Sequence, residues 1–511
     1  MVAAVVFLLL LHAALAWRLR TLSLVPTPDA ATYLAVSRSV RALGYRSVYQ
    51  LGAPRHVLYP PGWPTVLALL SLVAGERLDV VVALEVALST ATLALLFDVV
   101  RRAWSPTVAL LVLAACAVNP LLLEYAGVAL SEVPFMFLTT LCVWAAQRAR
   151  AQPRYAPLAG AAAVAAMLVR SAGVAVVAAL VVLWLVERRR RAAIGLVAVG
   201  GACATLWVAW VLSAPAPARQ ASYAADLQRG YARPAGVAAV AAPSLPARVL
   251  ARVPRNAADY ARQLPDALAF PRRVNGWTRH VPVQLLVLAL AVAALAALFR
   301  RWAAAALVVA CYAAVLLVWP WALPRFLVPA LPLGMVAFVG GAWALGARLG
   351  RWRWIPAAAA AALVVVTAAR ADARAVRASA ACDRAQPLGA PACHTPLTFA
   401  VLGALRWVAD STPRDAVVGA RSGALVSWYA HRRTVPLRDA VAAADDAPAY
   451  VVVWRRGGAR RPVLDDATPA TCARLGLARA WGSDVQLFRV LPNGVAASDS
   501  AACRLLPGPG E

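Results

Sequence analysis

The sequence predicts a mainly α, polytopic membrane protein of about eleven transmembrane helices with a small C-terminal external α/β domain. Three observations predict it. Of 511 residues, 62% are hydrophobic and 14% charged, with a mean hydropathy of +0.68, against about 45–50% and about 25% in soluble domains. Apolar runs of near-spanning length alternate with Arg clusters, and every second connection is Arg-rich, as the positive-inside rule requires. From about residue 375 onward the apolar runs shorten and Gly, Pro, Asp and Arg become frequent. An ordinary cytosolic enzyme, a disordered chain and a fibrous repeat are excluded. The net charge is +28, from 51 basic residues, all Arg, against 23 acidic ones. In an Ala-rich chain this bias fits a GC-rich bacterial genome. In a soluble protein such charge would point to nucleic acid; at the ends of apolar runs it points to membrane lipids, with no nucleic acid as partner.

The elements follow in order. Val2 to Trp17 reads as a first span rather than a signal peptide, because no basic segment precedes it. Residues 18–79 form a long external loop, in which Trp63 to Ala74 is too short to span and suits a re-entrant or interfacial helix. Spans are expected at 80–100, 106–123, 133–146, 157–169, 173–186, 192–212, 283–299, 303–318, 326–345 and 355–369. The Pro-rich segment 214–281 is a second external loop of short amphipathic helices. This makes residues 1–370 a membrane domain with its N-terminus inside, and 371–511 an external domain. In the latter, Ala416–Ala420, Ala449–Val453 and Val485–Val490 read as buried strands and Leu397–Ala409 as a helix, a small α/β pattern.

Cysteines follow the same division. Cys116, Cys142, Cys203 and Cys311 fall in spans as apolar core residues. Cys382, Cys393, Cys472 and Cys503 fall in the terminal domain, where an even number in an oxidising compartment predicts two disulfides. Three connectivities are possible; Cys382–Cys393 with Cys472–Cys503 is favoured, and no C-x-x-C spacing supports zinc instead.

A handful of polar groups converge on the external side. Asp29 and Glu132 each open a helix, where an acid also serves as a cap or dipole partner. Arg170 and Arg325 end spans on the outside, against the positive-inside pattern, either snorkelling or binding an anion. Two guanidinium groups can hold a phosphate bidentately, and a carboxylate can act as general base toward a hydroxyl. Glu85 is the one acid well inside a span; it either lines the same cavity or pairs with an Arg. His56 is a lone loop histidine, ordinarily solvated and otherwise a metal ligand.

Five segments resemble the GT-C glycosyltransferases, in the branch of protein O-mannosyltransferases and lipid A aminoarabinose transferases (glycosyltransferase family 39-like). They are Asp29-x-x-x-Tyr33; Tyr59-Pro60-Pro61-Gly62; Asn119-Pro120 followed by Ser131-Glu132-Val133-Pro134; Leu168-Val169-Arg170-Ser171-Ala172-Gly173; and Pro324-Arg325-Phe326-Leu327-Val328-Pro329. The order and topology of the five carry the resemblance, over about residues 1–345. It implies an inverting transfer from a polyprenyl-phosphate sugar to a lipid, glycan or protein acceptor on the external face of the plasma membrane. In that reading Asp29 is the base and Arg170 and Arg325 offset charge on the leaving phosphate. Glu132 orients the acceptor or a divalent ion, and Tyr33 and Tyr59 belong to the substrate loop. Ala30 and the Leu58-Tyr59 pair stand where some relatives carry acids, which weighs against a divalent metal ion as cofactor. The competing readings are a transporter or flippase of lipid-linked sugars, which needs a polar path through the bilayer, and a scaffold, which needs none of these residues.

Overall fold

The computed structural model describes residues 1–42, 44–231, 244–270, 277, 279–382, 387–437, 449–455, 472–491 and 505. A helix stands on every predicted span, from Val2–Leu19 to Ile355–Ala378. By length and composition, six helices can cross a membrane, or seven if the bent pair Pro106–Ala117 and Pro120–Ala126 is one span. The expected number was about eleven. Of the four remaining helices, Glu132–Ala151 has 20 residues but carries Glu132, Arg148 and Arg150, and the other three are short. Ala156–Val169, Val174–Val186 and Ala303–Val318 have 14, 13 and 16 residues, so each rises about 20–24 Å against a hydrocarbon core of about 30 Å. Turns of tighter helix at Pro153–Tyr155 and Ser171–Gly173 lie at the polar breaks before and between two of these short helices.

The chain forms two compact units. One comprises Met1–Arg20, Val57–Trp63 and Arg77–Val376; the other comprises Thr21–His56, Pro64–Glu76 and Arg377–Glu511. The first external loop therefore groups largely with the terminal region, not with the spans that flank it.

In the membrane unit, Glu132–Ala151 packs against Leu78–Ala103 and Ala156–Val169. Its Arg-rich end is fastened by Asp98, which accepts from Arg148 Nη2 at 2.8 Å and Trp144 Nε1 at 3.0 Å, and also pairs with Arg101 and Arg102. Glu187 receives Arg150 Nε at 2.6 Å. Glu132 opens the same 20-residue helix, so the two polar ends are about 30 Å apart, one bilayer core. Asn119 accounts for the 63° bend between the paired helices. Its Oδ1 accepts from the amides of Leu121 and Leu122 at 3.1 Å, and Pro120 follows at the first helical position. Its Nδ2 donates to the Ala267 carbonyl at 2.9 Å, tying down the end of the amphipathic helix Leu245–Ala267.

The second unit is built on a five-stranded sheet of order β2-β1-β3-β5-β4, with β1 Val417–Ala420, β2 Arg433–Pro436, β3 Tyr450–Trp454, β4 Leu475–Trp481 and β5 Val485–Val490. β2, β1 and β3 are parallel; β5 runs antiparallel to β3 and β4. Pro396–Ser411 packs on β4 and β5, and Val451, Val453, Leu475 and Phe488 form a buried cluster with Cys472. β2 and β4 were not expected. β2 is short and polar, and β4 carries exposed Arg and Ala positions. Cys382 and Cys393 form the expected disulfide. Cys472 is disulfide-bonded, and Cys503 lies outside the described residues.

The first loop completes this unit. The Thr434 amide and hydroxyl both donate to the Tyr49 carbonyl, at 3.0 and 2.9 Å, and the Leu51 amide donates to the Thr434 carbonyl at 2.8 Å. Residues 49–51 thereby continue the sheet beyond β2, with Gln50 opposite Thr434. The amide of fully buried Leu24 donates to the Tyr429 hydroxyl at 2.8 Å. Tyr429→Phe should leave that amide without an acceptor, at a cost of about 1–3 kcal/mol. The expected outcome is faster amide exchange around Leu24, read by hydrogen–deuterium exchange, with the membrane helices unchanged.

Candidate active site

In the membrane unit the structure brings Glu132, Arg170 and Arg325 together. Glu132 lies in the first turn of its helix, where the exposed backbone amides favour an acid, and is only 1% exposed. Its Oε1 is 2.8 Å from Arg170 Nη1, which also donates to Ser131 Oγ at 2.9 Å. Arg325 Nε stands further off, 3.9 Å from the same Oε1. The Glu132 Oε2 atom is buried and accepts no hydrogen bond. One carboxylate thus serves two guanidinium groups through a single oxygen.

Each arginine is held by local chain geometry. Arg170 follows Ala156–Val169 in extended backbone, and the chain then doubles back through Ser171–Gly173. That reversal requires glycine: a Cβ on Gly173 would lie 2.4 Å from the backbone of Met167. Gly62 presses on the same turn from the other side, where a Cβ would fall 2.6 Å from the Leu168 carbonyl oxygen. The Tyr-Pro-Pro-Gly segment and the Leu-x-Arg-x-x-Gly turn are therefore one packing unit, with Arg170 at its tip. Arg325 sits in the tight helical turn Pro324–Ala330. The Tyr312 hydroxyl donates to the Phe326 carbonyl at 2.9 Å, and the Tyr312 ring meets Phe135 of the Glu132 helix at 5.8 Å. Tyr59 heads a file of rings: Tyr223 at 6.2 Å, then Trp319 at 5.7 Å, then Trp321 at 6.0 Å.

Glu85 is fully buried, and among the described residues no ion pair reaches it. Its electrostatic neighbour is Glu132, not an Arg. The pairing expected as one of two alternatives is thus not formed, and Glu85 stands behind the acid of the cluster. Tyr125, which the sequence analysis did not single out, feels the charges of Glu132, Arg325 and Arg170. Its only signal is a polar aromatic between Asn119-Pro120 and Ser131.

Asp29, Tyr33 and His56 belong to the second unit. Asp29 follows Pro28 in the first turn of Pro28–Arg41, two residues after the N-cap Thr27. Its charge acts on half-buried Tyr49, whose phenol is pushed above its ordinary range by desolvation first and by Asp29 to a lesser degree; hydrogen bonds with Ser47 and Thr32 oppose the shift. Tyr33 is buried in the same helix. His56 is not the solvated loop residue expected. It is 3% exposed, its Nδ1 is 3.1 Å from Ser47 Oγ, and its ring meets the edge of Tyr45 at 5.4 Å. Among the described residues no group of three or more His, Cys, Asp or Glu side chains is placed to hold a metal ion.

Residues 59–213 match the family model described as dolichyl-phosphate-mannose-protein mannosyltransferase. The segment contains Tyr59, Gly62, Glu132 and Arg170. Among solved structures, the chain resembles ArnT from Cupriavidus metallidurans bound to undecaprenyl phosphate. The identity is 14% and the TM-score 0.57, over 95% of this chain and 97% of that one. It also resembles the archaeal oligosaccharyltransferase AglB from Archaeoglobus fulgidus, solved with an inhibitory peptide and a dolichol-phosphate. There the identity is 12% and the TM-score 0.50, over 88% and 69% of the two chains.

The chain has the GT-C fold.

With the family-model match inside its membrane unit, the chain is a membrane glycosyltransferase of the GT-C type. The match covers three of the five motif segments, those of Tyr59, Glu132 and Arg170; the Asp29 and Arg325 segments lie outside it. No protein of curated function matches the sequence.

Two predictions test how the GT-C scaffold holds these groups. Gly62→Ala and Gly173→Ala should each displace the Arg170 turn and destabilise the fold by about 1–3 kcal/mol. Lower melting temperatures of the detergent-solubilised variants check this, and a Gly200→Ala control should melt like the wild type. Burial lowers the His56 pKa from 6.5 to about 3. The unfolded chain therefore takes up a proton that the folded chain refuses. The contribution of neutral His56 is intact above pH 6.5 and lost as pH falls toward 3, at about 1.4 kcal/mol per pH unit. The unfolding free energy of the wild type should fall accordingly between pH 6 and 4.5, and His56→Gln should remove that part of the slope.

Proposed function

We propose that this GT-C enzyme transfers a sugar from a polyprenyl-phosphate donor to an acceptor on the external face of the plasma membrane, with inversion at the anomeric carbon. The observation that carries this reading is the cluster of buried Glu132 with half-buried Arg170 and Arg325 at one end of the membrane unit. Two guanidinium groups bear on one carboxylate, and Arg is the side chain suited to phosphate. A phosphate at that depth belongs naturally to a lipid, and ArnT, which shares the fold, was solved with undecaprenyl phosphate. The face follows from charge. The helix that opens with Glu132 ends in Arg148 and Arg150, and its neighbour ends in Arg101 and Arg102. The positive-inside rule assigns those ends to the cytoplasm and the Glu132 end to the outside.

In the reaction, the acceptor oxygen bonds to the anomeric carbon as the bond from that carbon to the phosphate oxygen breaks. The phosphate oxygen keeps the electron pair, and the acceptor's proton passes to the base. Asp29 is assigned as that base from its place in the motif order and its position in a helix first turn. Arg170 and Arg325 counter the charge that grows on the departing phosphate, a role that a water-poor site strengthens. Tyr33 and Tyr59 belong to the substrate loop. Glu132 sets the position of Arg170, whichever lipid, glycan or protein acceptor is used.

Purified protein in lipid, given a panel of radiolabelled polyprenyl-phosphate sugars and membrane extract as acceptor source, should consume one of them. Asp29→Asn should bind the donor normally and lose transfer by about 10²–10⁴-fold, the usual worth of a general base. Wild-type rates in that variant would remove Asp29 from the chemistry. Donor that binds and is never consumed would instead favour translocation of the lipid-linked sugar.

A further inference from the structure

At the end of the membrane unit opposite Glu132, three helices leave a gap between them. Leu331–Leu345 packs against Val281–Arg301 and against Leu78–Ala103, whose C-cap is Trp104. Small residues of Leu331–Leu345 make the room. Gly340 lies so near Trp104 that a Cβ on it would fall 3.1 Å from the indole nitrogen, whereas a Cβ on Gly341 would meet nothing within 4 Å. The result is a cavity of about 190 Å³, with Trp104, Gly340, Gly341, Trp343, Arg300 and Arg301 in its lining. That is more than a single bound water needs.

The charge of this cavity is one-sided. Its lining holds no acid, and among the described residues neither Arg300 nor Arg301 takes part in an ion pair. Other Arg residues at this end are spoken for: Arg101, Arg102 and Arg148 share Asp98, and Arg150 holds Glu187. Arg353 adds a further positive charge, its guanidinium 5.1 Å from the centre of the Trp343 ring. The helix that ends in Arg300 and Arg301 is apolar and largely exposed. Of its 21 residues only Gln284 and Leu298 are buried, and Phe299, next to Arg300, is 52% exposed.

We propose that this cavity binds the headgroup phosphate of an anionic phospholipid, with the acyl chains lying along Val281–Arg301. Arg matches a phosphodiester bidentately, and Trp favours the boundary between membrane and water. Basic pockets between membrane helices at the Arg-rich face suit anionic headgroups. The Arg clusters assign the site to the cytoplasmic leaflet, so it is separate from the proposed transfer site and does not rest on that reading. The bound lipid fills the gap and holds in place a helix with little protein against it.

The test gives the full-length protein in detergent micelles either phosphatidylglycerol or phosphatidylcholine with the same acyl chains, and reads the bound lipid by native mass spectrometry. The wild type should hold phosphatidylglycerol about tenfold more tightly than phosphatidylcholine. Gly341→Leu fills the cavity and keeps every charge; it should lose most of that preference. So should the double variant Arg300→Gln with Arg301→Gln. Arg190→Gln with Arg191→Gln removes the same charge from exposed positions outside the cavity and should keep the preference. Inorganic phosphate should not displace the lipid. An equal hold on both lipids by the wild type overturns the inference. So does a full preference in Gly341→Leu, or an equal loss in the Arg190 and Arg191 variant, since diffuse surface charge then accounts for the binding. Displacement by inorganic phosphate overturns the assignment to a lipid. Should a variant fail to fold, wild-type melting decides: phosphatidylglycerol should raise the melting temperature above that in phosphatidylcholine, and equal values overturn the inference.

Discussion

The membrane unit is organised around one ion pair that is costly to bury. Taking a carboxylate and a guanidinium out of water costs several kcal/mol each, and their mutual attraction repays this only when the geometry is good and the remaining donors are satisfied. Around Glu132 and Arg170 those conditions are met by Ser131, which accepts from the same Arg170 nitrogen, and by the helix first turn in which Glu132 lies. Gly62 and Gly173 fix the Arg170 turn by backbone contact on both sides. A pair this dependent on its surroundings is poor as a source of stability. It is well suited to hold charges where solvent would otherwise disperse them.

Much of this was legible in the sequence because membrane insertion constrains composition so strongly. Arg clusters at alternate connections gave the topology, and Arg170 and Arg325 stood out because they broke that pattern. Glu132, Arg170 and Arg325 fall together in the membrane unit, while Asp29 and Tyr33 belong to the second unit. The number of full-length spans was not legible, because apolar runs such as Val174–Val186 and Ala303–Val318 read as spans by hydropathy yet form helices of only 13 and 16 residues. A lone loop histidine such as His56 likewise reads as solvated in sequence; Tyr45 and Ser47 lie against it, neighbours supplied by a loop without regular periodicity. β2 escaped notice because its hydrogen bonds go partly to residues 49–51, nearly four hundred positions earlier.

Two kinds of acid in this protein show how environment and not residue type assigns a role. Asp98 is surrounded by Arg101, Arg102 and Arg148 and knits helix ends together. Glu85, in the same helix, meets another acid instead of a cation. The first is accounted for as a fastening. The second, buried at a cost without a cation to offset it, marks the side of the helix that faces the cluster.

The sheet extension at Thr434 also bears on how the protein is made. Tyr49 and Thr434 are 385 residues apart, and Leu24 and Tyr429 are 405 apart. At about 5–20 residues per second, roughly 20–80 s pass between synthesis of the first partner and of the second. Throughout that interval the loop bearing Asp29 has been made but has no sheet edge to join. A loop made early in the chain is therefore among the last segments to reach its final structure, and a chain cut short before Thr434 would carry that loop without the strand it pairs with.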